Sequence, residues 1–246
     1  LAQALPIAIS PILTRLYSPD DFGVFAQYLA LVMLISILAT GRYEMAIMLE
    51  REDEDALNIV SLVFIISVIV SIIALVSVIF LKEEICQFLG NQLIENWLIF
   101  VPLSALLMGT YQCLNYWCNR QRMYRRLAGT RLLQSVGGAT GQLGGGIAGV
   151  GQSGLVLGSI LGQTIAVISL IHAAIKSSSV YLHFLSITKS KNLALKYKKF
   201  PLYQVPSTFI EAMSSQLPVI MLGSFYGAEI VGLFAMSQRV VRTPIM

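Results

Sequence analysis

The sequence predicts an all-α, polytopic membrane protein with about eight transmembrane helices, on the strength of three observations. The chain has 246 residues, of which 56% are hydrophobic and only 12% charged, whereas a soluble domain carries about 25% charged residues. The apolar residues form runs of about 20 residues, the length that crosses the hydrocarbon core of a bilayer. The lysines and arginines are concentrated in alternate connections between these runs, as is typical of a multi-pass membrane protein.

Eight candidate spans follow one another along the chain. They are Leu1 to Leu13, Phe22–Thr40, Ala56–Leu81, Trp97–Cys118, Leu127–Val150, Ser153–Ile175, Pro201–Phe225 and Ala228 to Met246. The first and the last are cut inside apolar runs, so the sequence is expected to be a fragment of a longer protein.

The distribution of basic residues predicts the orientation in the membrane. Of the 17 lysines and arginines, all but Arg15 and Lys82 lie on one side, in connections 2–3, 4–5 and 6–7 and in the inner half of span 8. The positive-inside rule assigns that side, and with it the N-terminus, to the cytoplasm. The acidic residues between Glu50 and Asp55 lie on the same side and are interpreted as a solvated loop.

Span 5 carries a regular row of glycines. Gly137, Gly141, Gly145 and Gly149 recur at every fourth position, which places them on one face of a helix. Glycines on one face allow a second helix to approach at backbone distance. The row therefore predicts a close helix contact.

A short motif occurs twice, near the two ends of the chain. Residues 17–26 and 226–235 both fit Tyr-x-x-[Asp/Glu]-x-x-Gly-x-Phe-Ala. Six spans separate the copies, so both have the same orientation. Parallel repeats build two lobes related by an axis along the membrane normal, with the substrate site between them. We therefore expect an N-terminal lobe over residues 1–199, with spans 1–6 and a cytoplasmic linker, and the start of a C-terminal lobe over 200–246.

The composition excludes several classes of site. Cys86, Cys113 and Cys118 have neither metal-like nor disulfide spacing, and His172 and His183 are isolated. The net charge of +4 is scattered and does not indicate a nucleic-acid partner. We predict no metal, no cofactor and no catalytic constellation.

Five segments of the chain resemble one known family. They are Gly41–Ile47, Asn115–Arg120, Gly154–Gly158, Tyr197–Pro201 and Gly232–Arg239. In this order they are similar to the bacterial polysaccharide-transporter proteins, the Wzx-like oligosaccharide flippases of the multidrug/oligosaccharidyl-lipid/polysaccharide superfamily.

The resemblance implies a function. A protein of this kind has two six-helix lobes and works by alternating access. Its implied cargo is an undecaprenyl-pyrophosphate-linked oligosaccharide, moved across the bacterial inner membrane for polysaccharide, O-antigen or lipopolysaccharide biosynthesis. Its implied partners are that lipid-linked oligosaccharide and membrane lipids, with a polysaccharide polymerase or glycosyltransferases of the pathway as further candidates. A drug or small-solute antiporter of the same fold, and a membrane polysaccharide polymerase, remain as alternatives.

Ionisable groups at membrane depth are candidate site residues, because charge inside a bilayer is costly. Glu211 lies about 15 Å inside span 7. Gln204, Ser207 and Ser215 share its helix face and complete a polar stripe, which we interpret as lining a hydrated cavity. The alternative is a stripe that packs against another helix through hydrogen bonds.

Arginines are the candidate contacts for a pyrophosphate, because the guanidinium group offers paired donors. We assign this role to Arg239 and Arg242 in span 8, and to Arg15 and Arg42 as entry or exit contacts. Snorkelling of the first two to the interface, and interface anchoring by the second two, are the alternatives. If spans 7 and 8 form a hairpin around Gly227, Glu211 is expected to pair with Arg239 or Arg242. Glu44 is expected to pair with Arg42.

Overall fold

The computed structural model describes residues 4–178 and 186–242, and both ranges are mainly helical. Side chains are described for residues 8–176, 186 and 188–239. The principal helices are α1 (Ala4–Leu16), α2 (Pro19–Thr40), α3 (Asp53–Leu89), α4 (Phe100–Arg120), α5 (Tyr124–Ile147), α6 (Gln152–Ser178), α7 (Ile187–Lys196) and α8 (Val205–Arg242). Shorter helical segments are Tyr43–Met48, Gln92–Leu98 and Phe200–Gln204. Spans 1–6 correspond to α1–α6, and spans 7 and 8 both fall within α8.

The described helices make this a multi-pass membrane protein. Four of them are long and apolar enough to cross a membrane: α2, α3, residues 152–176 of α6, and the stretch 200–239 around α8. Segment Gln92–Leu98 and α4, which meet at a bend of 54°, would together make a fifth. Helix α5, predicted as a span, is not among them, and its glycines and arginines account for its lower hydropathy.

The turn between α1 and α2 explains why α2 starts where it does. Pro19 occupies the first turn of α2, where its missing N–H removes no helical hydrogen bond. The Ser18 hydroxyl accepts from the Asp21 amide, and the Asp21 carboxylate accepts from the Ser18 amide at 2.9 Å. This reciprocal capping satisfies two donors at the start of the helix.

The second copy of the repeat motif breaks its helix at the same place. Gly227, one residue after Tyr226, has φ 82° and interrupts α8, as Ser18 after Tyr17 separates α1 from α2. Only glycine adopts such a positive φ at low cost. The two copies therefore break the helix at the same position of the motif, although Ser18 has φ −72° and Gly227 has φ 82°.

The glycine row of span 5 forms a close contact with α6, as predicted. A Cβ atom at Gly141 would lie 2.7 Å from the Cα of Gly158, one at Gly145 would overlap Gly154, and one at Gly162 would lie 2.9 Å from the Cα of Gly138. Helices α5 and α6 therefore meet backbone to backbone. Gly149 was wrongly placed in the row. It follows the end of α5 with φ +67°, in the turn that leads to α6.

The connection between spans 3 and 4, residues 82–96, is largely helical. Helix α3 continues to Leu89 past a non-helical residue, Leu81. Lys82 and Glu95 form an ion pair of 2.7 Å across the region. The apolar run ends at Leu81, but the residues that follow are good helix formers, so hydropathy marked the end of the span and not of the helix.

The three basic connections lie at one end of the helix bundle, which we call the basic end. Arg120 donates to the Asp53 carboxylate at 2.8 Å and to the backbone carbonyls of Ile47 and Glu50. Lys196 of α7 donates to Glu50 at 2.6 Å, which raises the pKa of Lys196. Lys189 of α7 pairs with Glu54 at 3.5 Å.

These contacts correct the interpretation of the acidic segment. Glu50 and Asp53 are not in a solvated loop, because they bind the end of α4 and the helix α7 that follows span 6. The opposite end of the bundle, which we call the far end, contains the α1–α2 turn, Gly90 and the α5–α6 turn.

Candidate functional site

Helix α8 lies antiparallel against α2, and this seam is the candidate functional site. Four contacts define the register: Arg42 with Thr208, Met33 with Gln216, Gln27 with Gly223, and Gly23 with Ala228. The first is at the basic end and the last at the far end. The seam thus joins the α1–α6 bundle to the chain that follows α7 over the length of α2.

At the basic end, polar side chains make the seam. The Arg42 guanidinium donates to the Thr208 hydroxyl through Nε at 3.3 Å and Nη2 at 3.1 Å. Its Nη1 atom donates to the Glu44 carboxylate at 3.3 Å. The predicted pairing of Arg42 with Glu44 is therefore confirmed, and Thr208 is a further partner from α8.

The Arg42 cluster is largely removed from solvent. The Glu44 side chain is 0% exposed and that of Arg42 is 21% exposed. The Oε2 atom of Glu44 has no hydrogen-bond partner among the described residues. A buried carboxylate depends strongly on its counter-charge, so Arg42 is held between a buried acid and a hydroxyl on the other side of the seam.

At the far end, backbone atoms make the seam. A Cβ atom at Gly23 would overlap the Ala228 carbonyl, and one at Gly232 would overlap the Pro19 carbonyl. Gly23 and Gly232 occupy the same position in the two copies of the motif, as do Pro19 and Ala228. The contact is therefore reciprocal, as two copies related by a two-fold axis would make it.

Further along the far half of the seam, a buried amide network meets α8. The Gln27 amide donates to the Leu89 carbonyl at 2.9 Å and accepts from Asn91 at 2.7 Å. Gly223 of α8 packs on this network so closely that a Cβ atom would overlap the Gln27 amide. Sequence reasoning missed Gln27, although an amide inside an apolar span is itself a signal of a buried partner.

The predicted polar stripe lies beside the face of α8 that meets α2. Gln204, Ser207, Glu211 and Ser215 are all exposed, while Ala212 on the α2 side is 3% exposed. The stripe therefore does not pack against α2. Thr208, next to Ser207 but on the α2 side, was missed because nothing in the sequence shows which face of span 7 meets α2.

The predicted pairing of Glu211 with Arg239 is wrong. Glu211 lies between Thr208 and Gln216, and so near the basic end of α2. The Arg239 guanidinium lies over the Phe22 ring, 5.4 Å from its centroid, near the far end of α2. The two levels are about 25 Å apart along the helix.

Among the described side chains, neither Arg15 nor Arg239 lies in the Arg42 cluster. Arg15 is exposed in the last turn of α1, at the far end. The side chain of Arg242 lies outside the described residues. Among the charged candidates whose side chains are described, Glu211 is at the level of Arg42 near the basic end, whereas Arg15 and Arg239 are near the far end.

The fold is that of a membrane transporter. A solved structure described as the inward-facing conformation of a multidrug resistance MATE family transporter of the MOP superfamily superposes with a TM-score of 0.70 at 14% sequence identity. The match covers 100% of this chain and 59% of that chain. The chain thus spans well under two thirds of the length of that transporter.

The sequence comparison gives the family. A family model described as "Polysaccharide biosynthesis protein" matches residues 12–246, so the chain belongs to this family. This confirms the resemblance drawn from the five motifs. Family and fold together are those of transporters and not of enzymes. No curated protein matches the chain.

Proposed function

We propose that this chain is part of a flippase that moves an undecaprenyl-pyrophosphate-linked oligosaccharide across the bacterial inner membrane by alternating access. Residues 1–199 form its first lobe and residues 200–246 open the second. Family membership supports the cargo class, and the repeat with its reciprocal far-end contact supports the two-lobe architecture. The translocated oligosaccharide serves polysaccharide, O-antigen or lipopolysaccharide biosynthesis.

The observation that carries the proposal is the position of Arg42. Its guanidinium bridges a buried carboxylate in one lobe and a hydroxyl in the other, at the end where the basic connections lie. A diphosphate binds a guanidinium more strongly than a neutral hydroxyl does. Cargo entering at the basic end would therefore replace Thr208 on Arg42 and release that contact between the lobes.

The other candidates take lesser parts in the proposal. Glu211 and the stripe of Gln204, Ser207 and Ser215 line the path of the polar head group near Arg42. Arg15 and Arg239 are contacts at the far end, where the cargo leaves. Arg242 keeps its proposed role as a pyrophosphate contact.

The proposal places the basic end and the N-terminus in the cytoplasm, from the lysines and arginines of connections 2–3, 4–5 and 6–7. Arg239, which was predicted on that side, lies near the far end in the structure. The native cysteines of the described chain are buried, so a thiol reagent should label the introduced cysteine with little background from them. In the full-length protein, a cysteine in 82–96 should react from outside the cell. One in 189–199 should react only after permeabilisation, and the reverse pattern would refute this orientation.

A reconstituted assay tests the function itself. The full-length protein in proteoliposomes should move a fluorescent undecaprenyl-diphosphate-linked oligosaccharide between leaflets. Arg42→Lys keeps the charge but loses the paired donors, and we expect about a tenfold slower rate at unchanged protein level. Glu211→Gln should also slow transport.

Two results would contradict the proposal. One is lipid movement at the rate of empty vesicles. The other is efflux of cationic dyes by the same preparation, which would favour the drug antiporter of the same fold. A wild-type rate in Arg42→Lys would remove Arg42 from the pathway while leaving the function intact.

A further inference from the structure

A polar cleft lies between α4 and α5 at the basic end, separate from the α2–α8 seam. Its volume is about 230 Å³. It is lined by Asn115, Asn119, Tyr124, Leu127, Ala128 and Arg131. Helix α4 ends at Arg120 and α5 begins at Tyr124, so Asn115 lies level with Arg131 across the hairpin. No residue of α8 lines the cleft.

The polar groups of the cleft have no partner among the described residues. Within residues 4–178 and 186–242, the side chains of Asn115, Asn119, Tyr124 and Arg131 make no hydrogen bond or ion pair. By contrast Arg120, one turn away, is fully engaged with Asp53 and the carbonyls beside it. Two amides, a phenol and a guanidinium thus offer donors to a ligand from outside the chain.

The charge around the cleft selects an anion. The cleft is lined by one arginine and by no acidic residue. The Asp53 carboxylate, which binds the same hairpin at Gln121, is already paired with Arg120. Arg122, Arg125 and Arg126 are exposed on the same hairpin, and none of them forms an ion pair within the described residues. Arginine and amide groups are good donors to phosphate oxygens, and basic pockets between transmembrane helices bind lipid head groups.

The depth and the apolar surroundings point to a lipid. Arg131 is seven residues into α5, about 10 Å from the start of the helix. Leu132 and Val136, four and eight residues beyond Ala128 on the same helix face, are 43% and 41% exposed. A ligand with its head group in the cleft would lay an acyl or prenyl chain along these side chains.

We propose that this cleft binds the phosphate of a lipid head group in the leaflet at the basic end. Arg131 contacts the phosphate, and Asn115 and Asn119 donate from α4. The lipid is either an anionic phospholipid or the diphosphate of a prenyl carrier, which share this chemistry. The site does not depend on what the α2–α8 seam transports.

Lipid retention measured by native mass spectrometry tests the site directly. The full-length protein, purified in detergent, is titrated with phosphatidylglycerol and, separately, with undecaprenyl diphosphate. Arg131→Gln and Asn115→Leu should each lower retention about tenfold for the lipid that occupies the cleft. Arg125→Gln is the matched control, because it removes a charge from the same hairpin outside the cleft, and it should change retention less than about twofold.

The two titrations distinguish the sources. Loss confined to phosphatidylglycerol assigns a phospholipid, loss confined to undecaprenyl diphosphate assigns a carrier, and loss of both assigns a general phosphate site. Equal retention of both lipids by wild type, Arg131→Gln and Asn115→Leu would overturn the proposal.

Arg131 is exposed, so Arg131→Gln should fold, which an unchanged Tm verifies. Lipid retention tests the cleft, and transport in proteoliposomes tests the flippase proposal, so failure of this site and failure of the flippase proposal are separable.

Discussion

The two ends of the α2–α8 seam differ in the atoms that make the contact. At the far end, Gly23 and Gly232 let the backbones touch, and no side chain lies between them. At the basic end, the long, flexible side chain of Arg42 reaches the Thr208 hydroxyl. A backbone contact is either made or lost, whereas a long side chain can exchange one partner for another. The far end is therefore suited to a seal, and the basic end to a contact that a ligand displaces.

The largest expected effect comes from adding a side chain to the far-end seal. Gly23→Val would drive a branched side chain into the Ala228 carbonyl, which has no rotamer to move away. Overpacking of this kind costs about 3 kcal/mol, enough to separate α8 from α2 at that end. We expect transport in proteoliposomes to be abolished.

The control for Gly23→Val is Gly129→Ala, because a Cβ atom there meets nothing within 4 Å. It should transport normally. If Gly23→Val also transports normally, the far-end backbone contact is not part of the working protein.

A smaller effect is expected from the glycine contact inside the α1–α6 bundle. Gly141→Leu should push α5 away from α6 at Gly158 and destabilise the protein by about 2 kcal/mol. The measurement is the Tm of the full-length protein in detergent. Gly144→Leu is the matched control on the same helix, since that position has open space. Equal Tm values for the two variants would show that the row faces no helix in the membrane.

The smallest effect is expected at the basic end. Thr208→Val removes the hydroxyl that accepts from Arg42 and leaves the shape of the side chain nearly unchanged. The loss of one hydrogen bond to a charged group is worth about 1.5 kcal/mol, less where solvent reaches the group. Because cargo is proposed to break this contact in every cycle, transport should change less than about threefold. A loss as large as that in Gly23→Val would remove the distinction between the two ends.

How far the sequence predicts the structure depends on whether the signal is local. The α5–α6 contact follows from spacing, because glycines four residues apart share a helix face whatever lies opposite. The positions of the spans follow from hydropathy for the same reason. The placement of Glu211 depends on which helix neighbours span 7, and neither periodicity nor hydropathy contains that information.

The error over Glu211 has an identifiable source. The predicted pair with Arg239 treated spans 7 and 8 as a hairpin in which equal distance from Gly227 means equal depth. In the structure, α8 takes its register from α2, through Gly23, Gln27 and Arg42. The side chains of Gln27 and Thr208, which fix that register, carry no charge. They were therefore not among the ionisable groups that the sequence indicates as candidates.

The most direct test of the account compares the two ends of the seam in one experiment. Spin labels at Asp20 and Glu229 report on the far end, and labels at Met48 and Tyr203, which are 46% and 67% exposed, report on the basic end. In the full-length protein without cargo, the far-end pair should give one short, narrow distance distribution and the basic-end pair a broader one. A broad far-end distribution together with a narrow one at the basic end would contradict the account.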